Sequence, residues 1–146
     1  MHEFDLERFK QAQQSRWDGY DVALGEIQSG QKQSHWIWYI FPQHAALGHS
    51  GPARYYGIHS LAEAEAYLED DTLGPRLVEI TRAALDAPTH DPRVLMGSGV
   101  DAMKLCSSMT LFAQLPQADP VFRQVLEKYY GGREDPLTLD LIGDEL

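Results

Sequence analysis

Three polar residues in the second half of the chain have the spacing of one helix face. Asp101, Lys104 and Ser108 follow one another at i, i+3 and i+7, so on a helix they form one narrow stripe. Leu105 and Met109 beside them are typical of a core, which predicts that the stripe runs along the core's edge. A carboxylate, an ammonium and a hydroxyl there could orient a polar ligand, with Asp101 as a general base. The alternative is that Asp101 and Lys104 form a surface ion pair, which would contribute little to the stability of the fold.

The second candidate region is the run from Ser34 to Gln43, the most aromatic part of the chain. Its aromatic rings and histidine must be buried, line a pocket, or do both. Trp36 or Trp38 could stack on a planar ligand, Gln43 could orient it, and His35 could act as a base. Apolar residues alone would suffice for a core, so this mixture favours recognition.

Histidines are concentrated in one part of the chain, where His35, His44, His49 and His59 fall within 25 residues. They lack the spacing of a zinc motif, and no paired cysteines accompany them. We therefore predict no metal site, and the histidines are expected at the surface or in hydrogen bonds.

Other familiar catalytic patterns are also missing. Cys106, Ser107 and Ser108 are adjacent, yet the Gly-x-Ser-x-Gly nucleophile elbow is absent. The glycines at 48, 51 and 57 do not form a Rossmann or phosphate-loop fingerprint. No cofactor is predicted, and a nucleotide pocket of another kind stays open.

Composition excludes several partners. The net charge of −10 over 146 residues and the absence of a basic run argue against nucleic acid. A local anion site could still form if Lys32, Arg54, Arg76 and Lys104 converge. Cys106 is the only cysteine, the N-terminus does not resemble a signal peptide, and no apolar run reaches the ~20 residues of a membrane span. We expect a cytoplasmic protein without membrane contact, with a small anionic ligand as its possible partner.

The elements that position these residues are predicted to be helices. Asp5 could cap a long helix that continues to about Ser29, and the aromatic run is predicted as a short helix ended near Phe41 by Pro42. The stretch from Gln43 to His59, which contains Ser50 and Tyr56, reads as a long loop and is the best candidate for the wall of a site.

Later helices are marked by caps and by apolar spacing. Ser60 opens a helix to about Glu69, and Leu73 begins another that runs to about Asp86. The segment 87–99 is predicted as a connection with one turn near 94–96. A further helix is predicted to start at Ser98 or Asp101 and to run to 112, and another runs from 119–120 to Gly131. The leucines of a short C-terminal tail are expected to pack against the rest of the protein.

Several motifs closely resemble the bacterial family of unknown function DUF1810, over positions 4 to about 141. The residues that carry the resemblance are Phe4-Asp5-Leu6-Glu7-Arg8-Phe9, Ala12-Gln13, Gly30-Gln31-Lys32, His35-Trp36-Ile37-Trp38-Tyr39-Ile40-Phe41-Pro42-Gln43, Leu47-Gly48-His49-Ser50, Leu73-Gly74-Pro75-Arg76-Leu77 and Asp101-Ala102-Met103-Lys104-Leu105-Cys106-Ser107-Ser108-Met109-Thr110-Leu111-Phe112.

The resemblance implies a mainly α-helical fold, here expected as one orthogonal helical bundle of about five to seven helices spanning residues 1–146. It supplies no established activity. The family motifs point to Lys32, His35, Trp36, Trp38, Gln43, Ser50, Tyr56, Asp101, Lys104, Ser107 and Ser108. The chain departs from the family pattern at Ala46, where glycine is usual, and at Asp70-Asp71, where His-Pro is common.

Three hypotheses follow. The first is a pocket for a small anionic or nucleotide-like ligand between the aromatic run and the 101–112 helix, bound by Lys32, His35, Trp36, Trp38, Gln43, Ser50, Tyr56, Lys104, Ser107 and Ser108. The second is a hydrolase acting on a nucleotide or ADP-ribose-type ligand, with His35 or Asp101 as catalytic base. The third is a protein-interaction module, monomer or homodimer, without catalytic activity.

Overall fold

A computed structural model describes residues 4–146, and ten α-helices follow one another along them. They are α1 (Glu7–Gln13), α2 (Tyr20–Gln28), α3 (Ile37–Ile40), α4 (Gly51–Tyr55), α5 (Leu61–Glu69), α6 (Leu73–Asp86), α7 (Pro92–Met96), α8 (Gly99–Ala113), α9 (Val121–Tyr130) and α10 (Pro136–Ile142). Short 3-10 helices cover Ala45–Leu47 and Gly143–Glu145. The mainly helical class is confirmed, but the expectation of five to seven helices was too low because several short segments are also helical. The orthogonal arrangement stays a prediction.

The long first helix predicted from Asp5 to Ser29 is wrong, because α1 and α2 are separate. Gly19 approaches the backbone of the preceding turn so closely that a Cβ there would lie 2.1 Å from the Ser15 carbonyl oxygen. The Ser15 hydroxyl also accepts hydrogen bonds from the backbone N–H groups of Trp17 and Asp18, both at 3.3 Å. A serine that bonds the backbone in this way competes with helical pairing. Asp5 does not cap α1.

The stretch 43–59 was predicted as a loop and is instead largely ordered by local structure. It contains the 3-10 helix Ala45–Leu47, called the 45–47 turn below, and α4. Its two ends are joined by an isolated parallel bridge between His44 and Ile58. Here the N–H of Ala45 donates to the Ile58 carbonyl at 2.8 Å, and the Ile58 N–H donates to the Gln43 carbonyl at 3.0 Å. These hydrogen bonds hold the two ends of the segment together.

Helix starts marked by serine agree with the prediction. Ser60 accepts a hydrogen bond from the Glu63 N–H at 3.1 Å, and Ser98 accepts one from the Asp101 N–H, also at 3.1 Å. Each satisfies one of the backbone donors that a helix leaves unpaired at its beginning. The connection 87–99 contains α7, and the C-terminal tail forms α10.

Helix α8 positions the predicted polar stripe. It contacts α3, α5, α7, α9 and α10, so elements from both halves of the chain meet on it. Leu105, Met109, Leu111 and Phe112 on this helix are completely buried. Asp101 and Lys104 are partly buried beside this core side of α8, whereas Ser108, the third residue of the predicted stripe, is completely buried.

Candidate functional site

Asp101 lies between two lysines. Its Oδ2 atom is 2.9 Å from Lys32 Nζ and its Oδ1 atom is 3.8 Å from Lys104 Nζ. The Lys32 side chain is only 6% exposed, and its ammonium also donates to the Ser34 carbonyl at 2.5 Å. A buried ammonium requires such partners to offset the loss of hydration. Lys32 and Asp101 thus join the aromatic run to α8, and both are already engaged.

Each of the two lysines also faces a tryptophan. Lys32 Nζ lies 5.0 Å from the centroid of the Trp36 ring, and Lys104 Nζ lies 5.5 Å from that of Trp38. These distances suit cation–π attraction. Trp36 is completely buried, whereas Trp38 is partly buried and its Nε1 atom has no hydrogen-bond partner. Stacking of a ligand on Trp36 is not open in this arrangement.

Glu26, which sequence reasoning missed, holds the beginning of the aromatic run. Its Oε1 atom accepts hydrogen bonds from the N–H groups of Gln33 at 2.8 Å and Ser34 at 2.9 Å, and from Trp36 Nε1 at 2.9 Å. Its Oε2 atom accepts one from the Ser34 hydroxyl at 2.5 Å. Burial alone would raise the pKa of Glu26, but these hydrogen bonds to the ionised form outweigh it and lower the pKa to about 2.

A cleft of about 620 Å³ lies between the segment 43–49, α8 and α10. Its lining residues are Gln43, Ala46, Leu47, His49, Val100, Met103, Lys104, Ser107, Asp135, Leu137, Asp140 and Leu141. Its lining is mostly apolar. The apolar side chains of the lining are called the floor below, and the polar ones the edge. The structure therefore brings together Gln43, Lys104 and Ser107 from the predicted set, and adds His49 and Asp135, which sequence reasoning had not selected.

Ser107 and Asp135 form the polar edge of the cleft beside α10. The Ser107 hydroxyl lies 2.7 Å from Asp135 Oδ2 and 3.1 Å from the Met103 carbonyl. Thr138 donates to the same carboxylate oxygen at 2.6 Å, and Asp135 Oδ1 accepts from the Leu137 N–H at 3.3 Å. The carboxylate thus caps α10. Within residues 4–146 no imidazole hydrogen-bonds to Ser107, so the serine has no base of the triad type.

Seven of the ten predicted ligand residues do not line the cleft. Three of them, Lys32, Trp36 and Trp38, are held in the contacts described above, and the other four lie elsewhere. His35 is exposed, and Ser50 caps α4 by accepting from the Ala53 N–H at 3.2 Å. The Tyr56 ring packs against that of Tyr39 at 5.1 Å, and burial raises the pKa of its phenol. Ser108 is completely buried and its hydroxyl has no partner. Their ligand roles stay predictions without a place in this cleft.

No group of three or more His, Cys, Asp or Glu side chains within 4–146 could hold a metal ion. No helix in this range is long and apolar enough to cross a membrane.

Fold and site define a mainly helical protein with one ion-paired lysine at the edge of an apolar cleft. The family model described as a protein of unknown function, DUF1810, matches residues 3–142, and the chain belongs to that family. It is similar to the conserved hypothetical protein Rv1873 from Mycobacterium tuberculosis, known from a crystal structure, with 44% identity and a TM-score of 0.91. The match covers 97% of this chain and 99% of the other. A search of curated proteins gave no match.

Proposed function

We propose that the protein binds a small amphipathic molecule in the cleft, with the apolar body on the floor and an anionic group at Lys104. The main observation in support of this proposal is the exposed apolar surface beside Lys104. Val100 is 64% exposed, Met103 71% and Leu137 60%, and all three line the cleft. Neighbouring exposed apolar side chains of this size are typical of binding sites. A bound apolar group would remove them from water.

The charges around the cleft favour one orientation of the ligand. Lys104 shares its carboxylate partner with Lys32, which is the nearer of the two at 2.9 Å against 3.8 Å. The Lys104 ammonium is therefore incompletely neutralised and would gain from an anionic ligand group. Asp135 and Asp140 on the α10 side would repel the same group. We therefore expect the anionic group of the ligand to lie toward α8, where Gln43 supplies a neutral amide for orientation.

A nucleotide or ADP-ribose-type ligand is one member of this class. Its base would lie on the apolar floor and its phosphate at Lys104, without stacking on Trp36. A thermal-shift screen should include AMP, NAD and ADP-ribose together with aliphatic and aromatic carboxylates. Ligand binding to the native state raises the unfolding temperature as the ratio of ligand concentration to Kd grows.

A matched pair of fluorescent probes tests the proposed site directly. Anilinonaphthalene sulfonate is anionic, and N-phenyl-1-naphthylamine is its neutral counterpart of similar shape. Lys104→Met should weaken the anionic probe by about tenfold or more, since a hydrogen bond to a charged group contributes roughly 1.5–3 kcal/mol. It should leave the neutral probe within about twofold. Both affinities are measured by fluorescence titration of the folded protein.

Lys10→Met is the control, because Lys10 is another partly exposed lysine paired with an aspartate, Asp70 at 2.9 Å, and it does not line the cleft. It changes net charge equally and should leave both affinities unchanged. Equal loss of both probes in Lys104→Met, or unsaturable binding, would contradict the proposal.

The second candidate is a hydrolase acting on the same ligand class, and the position of His49 favours it. His49 is an exposed imidazole that lines the cleft, where His35 does not. An imidazole within reach of a bound molecule can accept a proton from it or donate one to it. Incubation of ADP-ribose with the protein, followed by chromatography, tests for turnover. Turnover lost in His49→Gln while probe binding persists would support this candidate.

An interaction module or homodimer would use the same exposed apolar side chains differently. Sedimentation at several protein concentrations distinguishes it: a mass that rises with concentration and falls to the monomer in Met103→Lys would move the conclusion to self-association. A constant monomer mass with saturable probe binding supports the ligand site.

A further inference from the structure

His44 holds one wall of the cleft through a neutral imidazole. The residue is buried, and its Nδ1 atom accepts a hydrogen bond from the Ala46 N–H at 3.1 Å. A backbone N–H can only donate, so Nδ1 carries no proton and the proton of the neutral ring is on Nε2. The interaction caps the 45–47 turn.

The hydrogen bond from Ala46 to His44 acts at the point where an anchored residue, Ala45, is followed by two residues that line the cleft. Ala45 is fixed by its hydrogen bond to the Ile58 carbonyl at 2.8 Å. Gly57 also packs against it so tightly that a Cβ at position 57 would be 2.4 Å from the Ala45 Cα. Ala46 and Leu47 follow directly and line the cleft. A change at the His44 ring therefore acts on the cleft wall without moving its anchor.

We propose that protonation of His44 releases the 45–47 turn and weakens binding in the cleft, so that the site responds to pH. The proposal rests on the ligand-binding function proposed above. A protonated ring carries N–H groups on both nitrogens, and Nδ1–H would then face the Ala46 N–H. Two donors cannot bond each other, so the ring must turn or the Ala46 amide must move.

The groups around His44 set the pH at which its imidazole becomes protonated. Burial lowers the pKa of His44, and nearby His59 lowers it further. Glu145 in the C-terminal 3-10 helix and Glu63 on α5 act in the opposite direction. Glu63 is itself paired with Arg8 at 3.0 Å, which reduces its effect on the imidazole. The transition is expected below the ordinary imidazole value of about 6.5.

Amide spectra recorded between pH 7.5 and 5 test the wall itself. In wild-type protein the Ala46 and Leu47 amide signals should move with one midpoint below about 6.5. In His44→Asn they should stay fixed, because asparagine Oδ1 can occupy the place of Nδ1 and remain a neutral acceptor. His59→Asn is the control: the Ala46 and Leu47 signals should still move with pH, with the midpoint raised because the charge of His59 no longer lowers the pKa of His44. Nitrogen spectra of labelled wild-type histidine, which need no variant, should show His44 with its proton on Nε2.

The binding experiment uses neutral N-phenyl-1-naphthylamine, so that a change in the charge of the cleft neither attracts nor repels the probe. Its Kd in wild-type protein should rise by about five- to tenfold on acidification, the effect of losing one hydrogen bond, and stay constant in His44→Asn. A wild-type pH response that persists in His44→Asn, or fixed wild-type amide signals, would overturn the proposal. Moving amides without any probe binding would instead overturn the function of the cleft and, with it, the regulation proposed for it.

Discussion

Glu26→Gln should destabilise the protein by removing the charge that organises the start of the aromatic run. The substitution keeps the length of the side chain but replaces one accepting oxygen with an NH₂ group that can only donate. The donors now satisfied by Glu26 belong to Gln33, Ser34 and Trp36. If the NH₂ group replaced Oε1, it would face three donors; if it replaced Oε2, the Ser34 hydroxyl could turn and accept from it. In either arrangement the ring N–H of a buried tryptophan would lose its charged partner.

The magnitude follows from the pKa of Glu26, which lies at about 2 instead of the ordinary value near 4.3. At about 1.36 kcal/mol per pH unit this difference corresponds to about 3 kcal/mol. Because the side chain is partly exposed, solvent screening reduces the expected contribution to about 2 kcal/mol. The pKa is lowered in the folded state, so this contribution is complete above the ordinary value and disappears as pH falls toward 2.

Urea unfolding at pH 7 and at pH 3 measures both parts of the prediction. Glu26→Gln should lose about 2 kcal/mol at pH 7, and the gap between the two proteins should narrow at pH 3 as wild type loses its advantage. Glu127→Gln on α9 is a suitable control, because Glu127 is exposed and makes none of these hydrogen bonds. Equal stability of wild type and Glu26→Gln at pH 7, or a gap that does not depend on pH, would refute this role for the carboxylate.

Two further substitutions test how the parts of the fold are joined. Lys32→Met should lower the free energy of unfolding by about 3 kcal/mol, because it leaves Asp101 partly buried with only the more distant Lys104 as a partner. Urea unfolding measures this change, and an unchanged midpoint would show that the buried pair is not stabilising. Gly57→Ala should lower the free energy of unfolding by about 2 kcal/mol, because its Cβ would lie 2.4 Å from the Ala45 Cα. The control is Gly25→Ala on α2, where a Cβ meets nothing within 4 Å, and it should be neutral or slightly stabilising. Equal unfolding temperatures of the two variants would contradict the contact at Ala45.

Helix starts could be predicted from sequence because their signals are local. Ser60 and Ser98 each bond a backbone N–H three residues ahead, so the cap and the donor appear together in the chain. The break between α1 and α2 was missed for a different reason. Apolar spacing continues across it, and what ends the helix is the close approach of Gly19 to the Ser15 carbonyl, which periodicity does not register.

The candidate site could be predicted only in part, because some of its residues come together through contacts between distant parts of the chain. Spacing on one helix selected Lys104, which lines the cleft, but it paired Lys104 with Ser108, which is completely buried. The serine that lines the cleft is Ser107, which the spacing argument did not select. Asp135 reaches the cleft only because α10 docks on α8, and that contact joins residues far apart in sequence. Which way each tryptophan points was also undetermined, since an unbroken apolar run carries no periodicity to assign faces. Glu26 gave no local signal, because its partners lie beyond the end of its own helix.

The residues shared with the family motifs divide into an inner and an outer group. Lys32, Trp36 and Asp101 are engaged with one another or with Glu26, and together they join the aromatic run to α8. Lys104 and Ser107, on the same helix as Asp101, line the cleft. The division matters for the charge of the site. While Lys32 holds Asp101 at 2.9 Å, Lys104 has only a shared and more distant counter-ion, so the internal ion pair leaves Lys104 incompletely neutralised, as the proposed anionic ligand requires.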